Sequence, residues 1–239
     1  MSIAIRYHET LERIARAARR AGREPSEIQL VVVTKGHSVE AVRAVIAAGA
    51  THLGENYLEE AVPKMQALQD AAVTWHMIGH VQSRKARGVA QAGFSWLHSL
   101  DRLKLARRLN DALQDAAGAP LTVLLECNVS GETSKFGWAA WDERTWPALA
   151  DELGDVLALP ALRVRGLMTM APYDDPAAAP ETFQKLRRLR DYLVHHLPQA
   201  SWEHLSMGMS GDFEAAIEAG ATFVRIGTAI MGRRSTFGL

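Results

Sequence analysis

Short apolar runs recur along this chain with helix-patterned stretches between them. That alternation restricts the folds open to it more than any other feature. The runs are LVVVTK (30–35), THLGEN (51–56), TWHMIGH (74–80), FSWLHS (94–99), TVLLECNVS (122–130), VRGLMTM (164–170), WEHLSMG (202–208) and TFVRIGT (222–228). Helical start and stop signals separate them. The segment 38–49 opens on Ser38 and stops at Gly49, 101–118 runs from Asp101 to Gly118, and 210–220 from Ser210 to Gly220. Segments 58–70, with Pro63 near its start, and 181–197 carry the same period. Eight strands alternating with helices favour closure into a (β/α)8 TIM-type barrel over an open doubly wound sheet. An amphipathic stretch, IRYHETLERIARAARRAGRE (5–24), adds an N-terminal helix expected to cover one end. No linker divides the chain, so residues 1–239 read as a single domain.

Composition excludes several classes. At 239 residues and 48% apolar, the chain can bury a substantial core. Lys+Arg and Asp+Glu both number 27, so no net charge draws it to nucleic acid or an anionic membrane. One cysteine, Cys127, rules out an internal disulfide framework and a Cys-based zinc site. It suits a reducing compartment, and the expected location is the cytoplasm. No apolar run reaches the roughly 18 residues of a membrane span.

In a barrel, the strand C-terminal ends converge on the face that carries chemistry. Here those ends read Lys35, Glu55–Asn56, His80, Ser99, Asn128, Met168–Met170, Ser206 and Gly227–Thr228. Lys35, behind an apolar strand, is either a lysine surfacing into water or a half-dry amine suited to imine chemistry. Within 204–234, SMGMSG and RIGTAIMG are glycine-rich ends of the last two strands, where barrels commonly bind phosphate. Ser210 is equally an ordinary N-cap, and Gly227 and Gly232 equally tight turns. Arg233 stands where a Walker A lysine would be, which excludes that motif. Arg225 would be a buried cation needing an acceptor, either a cofactor ring nitrogen or a carboxylate such as Glu55. His76 and His80, roughly 13 Å apart on a strand, read as core or pocket histidines rather than a metal pair. The tryptophans of WAAWDERTW (138–146) read as packing.

The segments VTKGHS (33–38), LGENYLEEA (53–61), WHMIGHVQSRKAR (75–87), CNVSGETSKFGW (127–138), RGLMTM (165–170) and LSMGMSGDFEAAIEAGATFVRIGTAIMG (205–232) resemble the pyridoxal phosphate homeostasis protein family, whose barrel is similar to the N-terminal barrel of alanine racemase. The likeness spans nearly the whole chain. It implies that Lys35 forms an aldimine with pyridoxal 5′-phosphate (PLP). It implies that the loops of Ser206, Ser210, Gly227 and Thr228 hold the phosphate, and that Arg225 meets the pyridine nitrogen. Asn56 would line the pocket and Lys135 stand near its mouth. The family role is a PLP carrier or reservoir without established turnover, a monomer with apo PLP-dependent enzymes as partners and neither nucleic acid nor membrane. Arg84, Val81, the KGHS run and the shortened tail RRSTFGL depart from the family pattern at rim positions. An arginine at the pyridine nitrogen weakens the ring as an electron sink. The chain ends after its eighth βα unit, so the racemase's second acid/base domain is expected to be missing, which suits holding rather than turnover. A small PLP-dependent racemase or lyase using His80 or Tyr57 is the alternative reading. A barrel for another phosphorylated metabolite is a third.

Overall fold

The computed structural model describes residues 1–116, 118–173 and 175–233; the tail residues 234–239 lie outside it. Among the described residues, nine parallel strands form the sheet: β1 (Gln29–Val33), β2 (His52–Glu55), β3 (Thr74–Met77), β4 (Trp96–Leu100), β5 (Leu121–Asn128), β6 (Trp138–Ala139), β7 (Leu162–Met168), β8 (His204–Ser206) and β9 (Phe223–Ile226). Pairing of β4 with β5 and of β1 with β9 closes eight of them into a barrel. The two-residue β6 lies on the upper edge of β5. The eight-strand barrel read from the sequence is therefore the observed one.

The helices are α1 (Ile3–Arg20), α2 (Val39–Ala47), α3 (Leu58–Ala67), α4 (Ala86–Gln91), α5 (Leu103–Asp115), α6 (Trp146–Leu157), α7 (Ala179–His196), α8 (Phe213–Glu218) and α9 (Thr228–Met231). Ser2 and Ser38 cap α1 and α2, each side chain accepting from a backbone N–H three residues on. Rather than covering an end of the barrel, α1 packs sideways on α2, α8 and α9. The reason is steric: α9 is a single turn, and α1 fills the place a longer last helix would take. Tyr7, Ile14, Ala17 and Ala18 supply its buried face, and Arg23 Nη1 donates to the Ala221 carbonyl at 2.7 Å.

Two apolar regions result. The larger lies between barrel and helices; the smaller joins Val31, Leu124, Met168 and Phe223 across the lumen. The lumen is otherwise unusually polar. His76 touches Trp96, His98 and Phe223, which stand on strands that are not all neighbours, so these rings meet through the barrel interior. Two of the three tryptophans of 138–146 pack: Trp138 and Trp146 are buried, with Trp138 Nε1 donating to the Leu100 carbonyl at 3.0 Å, whereas Trp141 is exposed.

Candidate functional site

A cavity of about 590 Å³ opens at the C-terminal ends of β1, β7, β8 and β9. Lys35 and His37 line it from the loop after β1, and Ala171, Pro172 and Tyr173 from the loop after β7. Met209, Ser210, Gly211 and Asp212 follow β8; Gly227 and Thr228 follow β9; Arg225 forms part of the floor. Lys35, Ser210, Arg225, Gly227 and Thr228 thus come together.

The Lys35 segment is clamped on both sides by α3. Lys64 Nζ donates to the Thr34 carbonyl and to Glu55 Oε1, each at 2.8 Å. The Gly36 N–H donates to Glu60 Oε2 at 2.7 Å. Glu55, fully buried, also accepts from Thr34 Oγ1 at 2.7 Å, and burial pushes its pKa up against the pull of Lys64. Lys64 thus pairs with Glu55, which removes Glu55 as the carboxylate acceptor that the sequence reading offered as one of two alternatives for Arg225. Gly36, at φ 71°, makes the turn that carries Lys35 off the strand.

Opposite Lys35, two glycine-rich loops form a cup. The backbone N–H groups of Ser210, Gly211, Gly227 and Thr228 have no hydrogen-bond acceptor among the described residues. Ser210 Oγ accepts from the Ala229 N–H at 3.3 Å and so ties one loop to the other. Ser210 is not a helix cap, because α8 starts at Phe213. Instead Asp212 accepts from the Met209 N–H at 2.6 Å and tightens the turn. A Cβ on Gly211 would meet nothing within 4 Å, whereas one on Gly227 would press on Val33 Cβ at 3.2 Å. Four unpartnered N–H groups beside open space suit a phosphate monoester.

Arg225 is buried, and burial lowers its pKa to about 10, against the opposing pull of Glu126 and Asp212, so it stays charged at neutral pH. Nη1 donates to Ser206 Oγ at 2.7 Å and Nη2 to the Thr169 carbonyl at 3.0 Å. Ser206 is placed differently from the sequence expectation. It is fully buried inside the barrel, and its hydroxyl meets Arg225 and His98 rather than the phosphate cup. Its short side chain does not reach the cavity that the following loop lines, whereas the longer Arg225 side chain, also on a strand, does.

Asn56 is outside the cavity lining; its buried Oδ1 has no hydrogen-bond partner among the described residues. Lys135 spans two rim loops. Its ammonium pairs with Glu132 and donates to Ser130 Oγ at 3.2 Å and to the Met170 carbonyl at 3.0 Å. It stands by a second, shallower cavity of about 470 Å³ that shares Pro172 with the first. His80 has left the strand; it stacks on Phe136 at 3.7 Å and lies 3.1 Å from Asp101. Arg84 is exposed on the rim, donating to Gln82 at 2.9 Å, whereas Val81 is buried. Among the described residues, no three His, Cys, Asp or Glu groups are arranged to hold a metal, and no helix is long and apolar enough to cross a membrane.

Sequence reasoning missed the α3 clamp, because Lys64 and Glu60 meet Thr34 and Gly36 across about 30 residues of chain, which no local pattern reports. It read His76 as a core or pocket histidine but missed its links to half-buried His52 and buried His98, hydrogen bonds of 2.9 Å each. A histidine in each of three successive inward strand positions was the available signal.

Barrel closure, an amine at the end of β1 and an anion cup after the last two strands define a class, the alanine racemase N-terminal type of barrel. Residues 5–235 match the family described as "Alanine racemase, N-terminal domain". The alanine racemase of Streptomyces coelicolor A3(2) superposes with a TM-score of 0.71 at 19% identity, over 95% of this chain and 57% of that one, a likeness of fold alone. The "Pyridoxal phosphate homeostasis protein" of Pseudomonas aeruginosa is 47% identical over 235 residues, covering 98% of this chain and 96% of that protein. PipY of Synechococcus elongatus PCC7942, solved with PLP bound, superposes with a TM-score of 0.79 at 35% identity, over 93% of this chain and 99% of that one. This chain belongs to the pyridoxal phosphate homeostasis protein family.

Proposed function

We propose that this protein holds pyridoxal 5′-phosphate in the mouth of its barrel and serves as a cytoplasmic carrier or reservoir for it, without turnover of its own. One observation carries the reading: Lys35, Arg225 and four N–H groups with no acceptor among the described residues line one cavity. When bound, the cofactor supplies an aldehyde carbon, to which an amine bonds with loss of water. Lys35 provides that amine. Ser210, Gly211, Gly227 and Thr228 receive the phosphate through backbone N–H groups, so its charge meets dipoles rather than a lysine. Arg225, a permanent donor on the floor, offers the ring nitrogen a hydrogen bond and disfavours its protonation. Asn56 contributes its unpartnered carbonyl oxygen at the edge, and Lys135 keeps the rim loops together. Release to apo enzymes needs only water or a competing amine at the Lys35 bond.

His80 and Tyr57, the acid/base groups named for a small racemase or lyase, both stand outside the cavity lining, which counts against the enzyme built on them; His37 and Tyr173 line the cavity, and the turnover assay tests them. The purified protein should show the visible absorption of a lysine-bound PLP. Borohydride should erase that band and leave a reduced adduct on the Lys35 peptide. Lys35→Ala should show neither. A colourless wild-type protein that gains no band from added PLP overturns the reading, and steady conversion of an amino acid, lost in Lys35→Ala, replaces it with the enzyme.

A further inference from the structure

Four hydrogen bonds run in series through the barrel interior. His52 Nδ1 lies 2.9 Å from His76 Nε2, His76 Nδ1 lies 2.9 Å from His98 Nε2, and His98 Nδ1 lies 2.8 Å from Ser206 Oγ. Arg225 Nη1 completes the series at 2.7 Å from the same Ser206 oxygen. The residues come from β2, β3, β4, β8 and β9, and His76, His98 and Ser206 are wholly buried. Barrel interiors are ordinarily filled by branched apolar side chains. A continuous line of polar groups there, satisfied end to end, needs a physical reason.

Counting hydrogens gives the line a direction. A guanidinium only donates, so Ser206 Oγ accepts at the Arg225 end. The serine hydrogen then needs an acceptor, and among the described residues the one in reach is His98 Nδ1. That places the His98 proton on Nε2, from which it donates to His76 Nδ1; His76 in turn donates from Nε2 to His52 Nδ1. Burial keeps His76 and His98 neutral, with pKa values well below the ordinary histidine range, so each ring carries one N–H, as the series requires. The reverse order would set two donors on Ser206 and leave its own buried hydrogen with no acceptor.

We propose that His52, His76 and His98 are positioning residues: a one-way hydrogen-bond line that presents Ser206 to Arg225 as an acceptor and so fixes the guanidinium at the cavity floor. The line transmits orientation and not protons, because it ends on a group that does not give up its proton near neutral pH. The link to the cofactor rests on the PLP-binding reading above; the direction of the line does not.

The test separates the two. Long-range proton–nitrogen correlation spectra of the cofactor-free, ¹⁵N-labelled protein report which ring nitrogen of each histidine carries hydrogen. His76 and His98 should each be a single Nε2–H tautomer. A His98 protonated at Nδ1 overturns the proposal, whether or not PLP binds. Ser206→Ala removes the hydroxyl that sets the direction, so His98 and, one link further on, His76 should become mixtures of tautomers; a packing role alone would leave His76 unchanged, and an unchanged His76 counts against the line. In the loaded protein, His98→Leu should raise the PLP dissociation constant by about 2- to 30-fold and shift the absorption band. His98→Asn, which keeps an acceptor near the Nδ1 position, should restore both in part. Wild-type affinity in His98→Leu overturns the positioning role, and a wild-type protein that binds no PLP sinks the cofactor reading while the tautomers still decide the line.

Discussion

Replacing Lys64 by methionine tests how Lys35 is held. The ammonium of Lys64 is nearly buried and donates to Glu55 and to the carbonyl of the residue before Lys35. Without it, a fully buried carboxylate keeps only the Thr34 hydroxyl, and its Oε2 already lacks a partner among the described residues. Breaking a buried pair on one side costs about 3–5 kcal/mol. The cost depends on pH with a definite sign. Burial raises the pKa of Glu55 above its ordinary value of 4.5, and removing Lys64 raises it further. A carboxyl whose folded pKa is raised binds a proton on folding. Stability is therefore retained below the unfolded value and lost as pH rises through the folded one. Urea unfolding should show Lys64→Met losing about 3–5 kcal/mol near pH 8 but only about 1 kcal/mol near pH 4, where the missing Thr34 bond remains. Glu55→Gln combined with Lys64→Met should recover most of the loss near pH 8. A deficit that is the same at both pH values, or a double variant no better than the single one, would refute the account of the clamp.

Three further outcomes follow from the same structure. Gly166→Ala should not yield a stable fold, because its Cβ would sit 1.9 Å from the His204 carbonyl at a φ of 147°; circular dichroism melting should place its loss at about 3 kcal/mol or more. Glu126 is held up at about 7, by burial first and then by Asp101, so wild-type stability should fall as pH rises from 4.5 to about 7; Glu126→Gln should flatten that slope, a difference of at most about 3 kcal/mol across the window. Arg225→Gln should keep the fold yet raise the PLP dissociation constant about tenfold or more by equilibrium dialysis, one charged hydrogen bond being worth about 1.5–3 kcal/mol.

The chain itself determined the architecture. Eight apolar runs with helical stretches between them leave few topologies, because parallel neighbours need a crossover and the crossover has one hand. Lys35, Gly227 and Thr228 were legible for the same reason: each follows a strand, and strand ends in a barrel share a face. Boundaries were less legible. The run 74–80 stops being a strand at Met77, and Ser210 bonds to the first turn of α9 instead of capping α8. Tertiary structure alone decided which way strand residues face and what meets them. Ser206 lies too deep for the phosphate cup, Lys64 reaches back to Thr34, and α1 packs beside the single-turn α9. Sequence patterns report periods within one element. His52, His76 and His98 stand on adjacent strands, but the bond from His98 on β4 to Ser206 on β8 crosses the lumen between strands that are not neighbours, and it exists only after closure has brought the two sides of the barrel together.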